Sequence, residues 1–401
     1  MPVISSILDN DLYKLSMQWA VLEQYPNAQV EYRFTNRGDQ RFNDLFLIRL
    51  QTEIKNMQIL ALTEAEEAWL QKTIPFLPPQ YIAYLKNYRY DPTEVETKLT
   101  EDNNLQLTVK GSWHSTILWE VPLLALISEL YFKYVEVDWE TPSFYDIAIA
   151  KSKRLGEAGC LFADFGTRRR RSATAHLGTI SGLIDGSKNF VGTSNVHLAQ
   201  LFNYRPIGTM AHEWIMGISE LEGLKHANRH ALNKWMEVYR ARLGIALTDT
   251  FGTDAFFDDF DTLLAHSYDG VRHDSGDPFE FGEKTISAYK KLGIDPKSKT
   301  IVFSDSLNVD KAIAIQERFY GRIGVSFGIG THFSNDIPDS QPLNIVIKLR
   351  SINNIDVVKL SDDPGKATGD RDALRVAMWT FFGKKLDTDI GVSRENTDCP
   401  D

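Results

Sequence analysis

From about Pro142 to Thr331 the chain repeats one unit: a short apolar run, a cluster of small or polar residues, then a segment long enough for a helix. The runs are Cys160-Leu161-Phe162-Ala163, Asn189-Phe190-Val191, Pro206-Ile207, Ile245-Ala246-Leu247, Tyr268-Asp269-Gly270-Val271, Ile301-Val302-Phe303 and Gly324-Val325-Ser326-Phe327. Strands covered on both faces read as short continuous apolar runs, and helices between them impose right-handed crossovers and a parallel sheet. Repetition over roughly 200 residues predicts closure into an α/β barrel, whose loops after the strands build the active site. The polar clusters all fall at those strand ends, which points to an enzyme.

The flanks have a different grammar. Residues 1–140 and 345–401 are expected to form an α+β domain around the barrel of residues 141–344. Leu8, Leu12, Leu15, Trp19 and Leu22 recur at steps of four and three, predicting an amphipathic helix with Asp9 and Asp11 in its first turn. Tyr13 lies off that stripe beside Met17 and reads on its own as a half-exposed aromatic. Val30, Tyr32 and Phe34 alternate with polar residues as a strand with one wet face does. Helical spacing returns from Phe42 to Leu60, and Thr63 with Glu66 predicts a capping box that opens another helix. The Thr, Val, Tyr and Trp content between Tyr88 and Leu118 predicts two or three antiparallel strands. Asp277, Pro278 and Glu280 open a helix that Gly293 ends. Near the C-terminus Ile345-Val346-Ile347 and Val357-Val358 read as strands and about Asp370 to Phe382 as a helix, all expected to pack on the first domain.

Composition narrows the function classes. With 401 residues, 43% of them hydrophobic, the chain can bury one large core and one smaller one. A net charge of -10 argues against nucleic acid as a partner, since such binders carry a basic face. Cys160 and Cys399 are far apart and outside any CxxC pair, which excludes a disulfide framework and a thiolate metal site and suits a reducing, cytoplasmic setting. No continuous apolar run reaches the roughly 18 residues that span a bilayer, so no membrane association is expected.

Several chemistries fail on spacing. GxxxxGK[ST] and GxSxG are absent, His212-Glu213 lacks a second histidine at Met216, and Phe333 stands where the third glycine of a dinucleotide loop would fall. What remains at the strand ends is Gly/Ser/Thr loops, Arg168 to Arg171, Arg272, and the carboxylates Asp164, Asp274, Asp277 and Asp305. Such a set suits a substrate with several phosphates: backbone amides cradle phosphate oxygens, guanidiniums bind them bidentately, and carboxylates hold bridging Mg²⁺. The arginine run could equally be a solvated face, and Asp277 is already explained as a cap. In Gly208-Thr209-Met210-Ala211-His212-Glu213-Trp214 the histidine stands near a predicted helix start, a natural anion site, where it is either offered outward or buried as a core residue.

Six stretches carry a likeness. Asp11-Leu12-Tyr13, Asp164-Phe165-Gly166-Thr167-Arg168-Arg169, Gly192-Thr193-Ser194-Asn195, Gly208 to Glu213, Arg272-His273-Asp274-Ser275-Gly276-Asp277-Pro278 and Phe327-Gly328-Ile329-Gly330-Thr331 together resemble the nicotinate phosphoribosyltransferase family, in order and over nearly the whole chain. The resemblance implies an irregular α/β barrel of the type II phosphoribosyltransferase kind plus an α+β domain built from both termini, working as a homodimer with shared active sites. It also implies the reaction. Nicotinate and phosphoribosyl pyrophosphate would give nicotinate mononucleotide and pyrophosphate, coupled to ATP hydrolysis in NAD biosynthesis, as in a ligase forming a C–N bond.

By that resemblance His212 is the residue phosphorylated by ATP, with His176 and His197 the next candidates, and Asp274 and Arg272 share the catalytic role. Phe165 and the Tyr13 of a partner subunit would sandwich the flat nicotinate anion. Arg272 would pair the carboxylate or a nearby phosphate, and Arg168 would line the ribose and pyrophosphate region. Thr167, Ser194 and Ser275 are expected to bind substrate, while Ser304, Asp305, Gly328, Gly330 and Thr331 would hold the product's 5′-phosphate. Asp274 and Asp305 are the expected Mg²⁺ ligands.

Overall fold

A computed structural model describes residues 2–139, 141–240 and 242–383. Its strands are β1 (Gln29–Asn36), β2 (Val95–Leu99), β3 (Leu105–Ser112), β4 (Phe162–Asp164), β5 (Phe190–Thr193), β6 (Ile245–Leu247), β7 (Gly270–His273), β8 (Thr300–Phe303), β9 (Gly324–Ile329), β10 (Ile345–Ile352) and β11 (Ile355–Asp356). They form a five-stranded sheet in the order β11-β10-β1-β3-β2 and a six-stranded sheet in the order β5-β4-β9-β8-β7-β6. The first is antiparallel, with β10 running along β1 from Asn36↔Ile345 to Val30↔Ile352. The second is parallel throughout.

In the parallel sheet the chain's last strand, β9, pairs with its first, β4, through Phe162↔Phe327, so the staves run round a ring. One gap is left, between β5 and β6. The Pro206-Ile207 run fills it without a strand ladder: Ile207 N–H donates to Thr193 O at 2.9 Å and Thr209 Oγ1 donates to Ile245 O at 3.1 Å. Proline has no N–H to offer a ladder. Gly208, just beyond, passes so close to the first helix that a Cβ there would lie 3.2 Å from Tyr13 N. The expected α/β barrel is therefore present, with one of its staves irregular.

Four local expectations change. The first helix is Leu12–Gln24, and Asp11 at its start makes no capping bond. Asp9 and Asp11 are instead buried, because Arg170 claims the one and Thr167 and Ser194 the other. Second, the two antiparallel strands expected between Tyr88 and Leu118, β2 and β3, end at Ser112, for Trp113–Thr116 is already helical and continues through Ile117–Trp119 into Glu120–Tyr134. Burial on all sides overrides the strand propensity of its residues. Third, this run of 22 residues, Trp113–Tyr134, is long and apolar enough to cross a membrane, contrary to the count of continuous apolar residues, but 89% of its window is buried inside the protein. Fourth, the chain after β11 leaves the antiparallel sheet. Val357-Val358 is not a strand; Leu360 N–H donates to Thr250 O at 2.8 Å, and in the helix Arg371–Phe382 Phe381 stacks on Phe251 at 4.6 Å, both against the barrel. Cys399 and the rest of residues 384–401 lie outside the described residues.

The capping box at Thr63 and Glu66 is present, and Asp277 Oδ1 accepts from Phe279 N–H at 2.8 Å and Glu280 N–H at 2.9 Å to open the helix Pro278–Lys291. The two units share one core. Trp113 of the N-terminal unit stacks on Trp214 of the barrel with ring centroids 6.1 Å apart, a pairing that adds about 0.5–1.5 kcal/mol to the area it buries. Gly217 makes room for it, since a Cβ there would stand 2.4 Å from the Trp113 ring. That packing fixes the helix that carries His212.

Candidate active site

His212 is the first residue of the helix His212–Glu222, directly after the irregular stave. Its ring is 18% exposed, with Nδ1 3.0 Å from Thr250 Oγ1 and Nε2 3.0 Å from Asp274 Oδ2. Asp249 Oδ1 lies 3.5 Å and Lys359 Nζ 3.0 Å from the same Nε2. Burial, and then the Lys359 ammonium, pull the imidazole below its ordinary value against the opposite pull of Asp249 and Asp274. His212 is therefore a neutral imidazole near pH 7.

The carboxylates around it are held ionised. Burial alone would raise Asp274, but Arg272, with Nη2 3.5 Å from Asp274 Oδ2, and His212 carry it well below the usual carboxylate range. Asp249 is likewise pushed up by burial and pulled below its ordinary value by His212 and Lys359. Neighbouring hydroxyls orient both groups. Ser304 Oγ donates to Asp274 Oδ1 at 2.6 Å and Ser275 Oγ to Asp249 Oδ2 at 2.6 Å. Arg272 Nη1 also donates to Met210 O at 3.2 Å, which ties the loop after β7 to the loop before His212.

The loop after β4 divides its residues between scaffold and site. Asp164 is fully buried and takes hydrogen bonds from Thr193 Oγ1 at 2.6 Å and Gly166 N–H at 3.0 Å, with His176 Nε2 2.8 Å away. Thr167 and Ser194, expected to touch substrate, both donate to Asp11 Oδ1, at 2.7 and 2.8 Å. Arg170 is buried in a two-pronged pair with Asp9 at 2.8 and 2.7 Å, and Arg171 lies between the rings of Phe132 and Trp139 at 3.4 and 4.6 Å. Only Arg168 of this run is exposed, at 47% of its side chain. Tyr13, then Glu120, Asp11 and Asp274, surround its guanidinium and hold it firmly charged. The chain's own Tyr13 thus belongs to this cluster, half-buried, with its phenol raised first by burial and then by Glu120.

Phe165 is the remaining open group of that loop. Its ring packs against Gly328, where a Cβ would be 2.2 Å from it, and its N–H donates to Ile329 O at 2.8 Å. Gly330 lies against Phe165 O, and Thr331 stands partly exposed at the same strand end. The glycines Gly328 and Gly330 thus leave the space that Phe165 of the β4 loop occupies.

The expected Mg²⁺ ligands already carry partners within the chain. Asp305 Oδ1 accepts from Lys366 Nζ at 2.6 Å, and both oxygens of Asp274 are engaged by Ser304 and by His212 with Arg272. Asp274 has a different neighbour, Asp249. In the sequence Asp249 follows the Ile245-Ala246-Leu247 run and Lys359 follows Val357-Val358, and neither local pattern marks a site residue. Of the two other candidate histidines, His176 is wholly buried beside Asp164, and His197 donates its backbone N–H to Leu8 O at 2.8 Å.

A parallel barrel whose strand-end loops gather a neutral, carboxylate-held histidine, the exposed Arg168, the partly buried Arg272 and glycine-lined turns is an enzyme of the phosphate-handling barrel class. The pattern of the nicotinate phosphoribosyltransferase (NAPRTase) family matches residues 160–384, and that of the family's N-terminal domain residues 8–128. The nicotinate phosphoribosyltransferase of Methanosarcina mazei is 51% identical over 406 residues, covering 96% of this chain and 100% of that protein. Nicotinate phosphoribosyltransferase 2 of Pseudomonas aeruginosa is 45% identical over 374 residues, covering 91% and 93%. The crystal structure of nicotinate phosphoribosyltransferase from Porphyromonas gingivalis superposes with a TM-score of 0.92 at 40% identity, covering 94% of this chain and 100% of that one. That from Vibrio cholerae gives 0.90 at 35% identity, covering 96% and 95%. The chain belongs to the nicotinate phosphoribosyltransferase family.

Proposed function

We propose that the chain transfers the phosphoribosyl group of phosphoribosyl pyrophosphate to the ring nitrogen of nicotinate, and that ATP drives the transfer through a phosphate carried transiently on His212. The observation that carries this reading is the placement of His212 at an open strand end with Asp274 on Nε2 and Thr250 on Nδ1, each at 3.0 Å. The Asp274 carboxylate on Nε2 favours the proton there against the competing Lys359 ammonium on the same nitrogen, and that tautomer leaves a lone pair on Nδ1. That lone pair attacks the γ-phosphorus, the bond to ADP breaks, and a phosphoramidate forms that water later hydrolyses.

Sugar transfer needs no protein nucleophile. The pyridine nitrogen donates its lone pair to C1′ as the bond to pyrophosphate breaks, and the site's work is to orient the two reactants and stabilise the leaving charge. Phe165 offers the ring a stacking face, Tyr13 lines the same region, and Arg168 with Arg272 supplies cations for the carboxylate and for phosphate oxygens. Positive groups at that position suit nicotinate better than its neutral amide. The same family resemblance supports a homodimer, classification as a ligase forming a C–N bond, and a cytoplasmic place in NAD biosynthesis; sedimentation velocity measures the dimer.

The test is an assay of mononucleotide formation from nicotinate and phosphoribosyl pyrophosphate, with and without ATP. Product formation accelerated by ATP supports the reading. Turnover of nicotinamide but not nicotinate contradicts it.

A further inference from the structure

One ligand-type atom each from His212, Asp249 and Asp274 lie within 4.8 Å of one another, a nitrogen and two oxygens at a spacing that would serve a divalent ion. A positive charge already stands there. Lys359 Nζ is 3.0 Å from His212 Nε2 and 3.1 Å from Asp249 Oδ2, and its side chain is only 8% exposed. The residues around it hold it in place. Leu360 N–H donates to Thr250 O at 2.8 Å, Ser361 Oγ to Ser275 Oγ at 3.0 Å, and Asp362 Oδ1 accepts from Thr253 N–H at 2.7 Å. Each carboxylate of the cluster also faces a cation of the chain, Asp249 facing Lys359 and Asp274 facing Arg272.

A metal bonded to these atoms at about 2.0–2.2 Å would have to share its place with the ammonium, and two cations so close repel. We propose that Lys359 is the resident cation of this cluster, an internal ammonium standing where a divalent metal would otherwise bind. The chain then keeps no metal of its own beside His212, and divalent ions reach the site only as salts of polyphosphate substrates. This concerns what neutralises Asp249 and is independent of whether His212 is phosphorylated.

The experiment is a Mn²⁺ titration of the full chain without nucleotide or phosphoribosyl pyrophosphate, read from the electron paramagnetic resonance of free Mn²⁺. Wild type is expected to have no site that depends on Asp249. Lys359→Met should gain one Mn²⁺ per chain, bound at least about tenfold more tightly than any ion in wild type, and lose it again when Asp249→Asn is added. A wild-type Mn²⁺ site that Asp249→Asn abolishes overturns the proposal, as does a folded Lys359→Met that gains none. If Lys359→Met does not fold, Lys359→Gln, of nearly the same length and uncharged, takes its place with the same expectation.

Discussion

Trp113 donates its indole N–H to Glu213 Oε1 at 2.7 Å, so the residue next to His212 is held by the N-terminal unit. Tyr32 OH donates to the same oxygen at 2.5 Å, and Lys14, fully buried, pairs with the other oxygen of Glu213 and with Glu120 at 2.5 Å. Burial alone would lower the Lys14 ammonium, but Glu120 and Glu213 together raise it above its ordinary value. Lys14→Met leaves the Glu213 carboxylate buried without its ammonium and Glu120 with only the exposed Arg168, 3.5 Å away. Breaking such a pair costs about 3–5 kcal/mol, which urea denaturation measures. An unchanged midpoint would contradict this role for Lys14.

Asp9 and Arg170 set a pH dependence. Burial would raise the Asp9 carboxyl, but the charge and hydrogen bonds of Arg170 outweigh it and hold the group below its ordinary value. The folded value thus lies below the unfolded one of about 3.9, so the stabilisation is complete above pH ~4 and is lost as pH falls through the folded value. Asp9→Asn should cost about 3–5 kcal/mol at pH 7 by leaving Arg170 buried and unpaired. Its stability gap to wild type should narrow steadily below pH ~4, followed by denaturant melts from pH 7 downward; a constant gap would refute the linkage.

Gly328 exists to seat Phe165. In Gly328→Ala the new methyl would stand 2.2 Å from the ring, which must tilt off the backbone. The expected outcome is a stability loss of about 1–3 kcal/mol together with a raised KM for nicotinate. Phe165→Ala should raise that KM without the overpacking strain. Steady-state kinetics compare the two, and a KM unchanged in both would remove Phe165 from the base pocket.

The two ends of the arginine run, Arg168 and Arg171, should behave in opposite ways. Arg168, exposed beside Tyr13, is predicted to affect catalysis alone: Arg168→Gln should lower kcat/KM with the melting temperature near wild type. Arg171, between Phe132 and Trp139 and donating to Asn335 Oδ1 at 2.7 Å, is predicted to affect folding: Arg171→Lys loses the planar fork and stack. Thermal melts and kinetics on both variants decide whether the run is divided this way.

The strand ends were legible because each short apolar run stops at residues that a buried strand cannot hold, and Asp164, His212, Asp274 and Gly328 all lie at such stops. The irregular stave at Pro206-Ile207 read like its neighbours, since its missing ladder depends on the approach of the first helix to Gly208. Asp9 reads locally as a first-turn helix carboxylate and Arg170 and Arg171 as phosphate binders or a solvated face; their hydrogen-bond partners Arg170, Asp9 and Asn335 lie 161 or more residues away in the chain, a separation that periodicity does not encode. Lys359 escaped for the same reason. It reaches His212 across 147 residues through a segment whose local pattern suggested only a strand of the other domain.

The most direct measurement of the central claim is phosphate transfer from γ-³²P-ATP to the chain, assayed as acid-labile label alongside mononucleotide formation. Wild type should take up label that His212→Asn lacks, and the variant should form some mononucleotide at a rate ATP no longer raises. Label that persists in His212→Asn, or a variant still accelerated by ATP, would contradict the account.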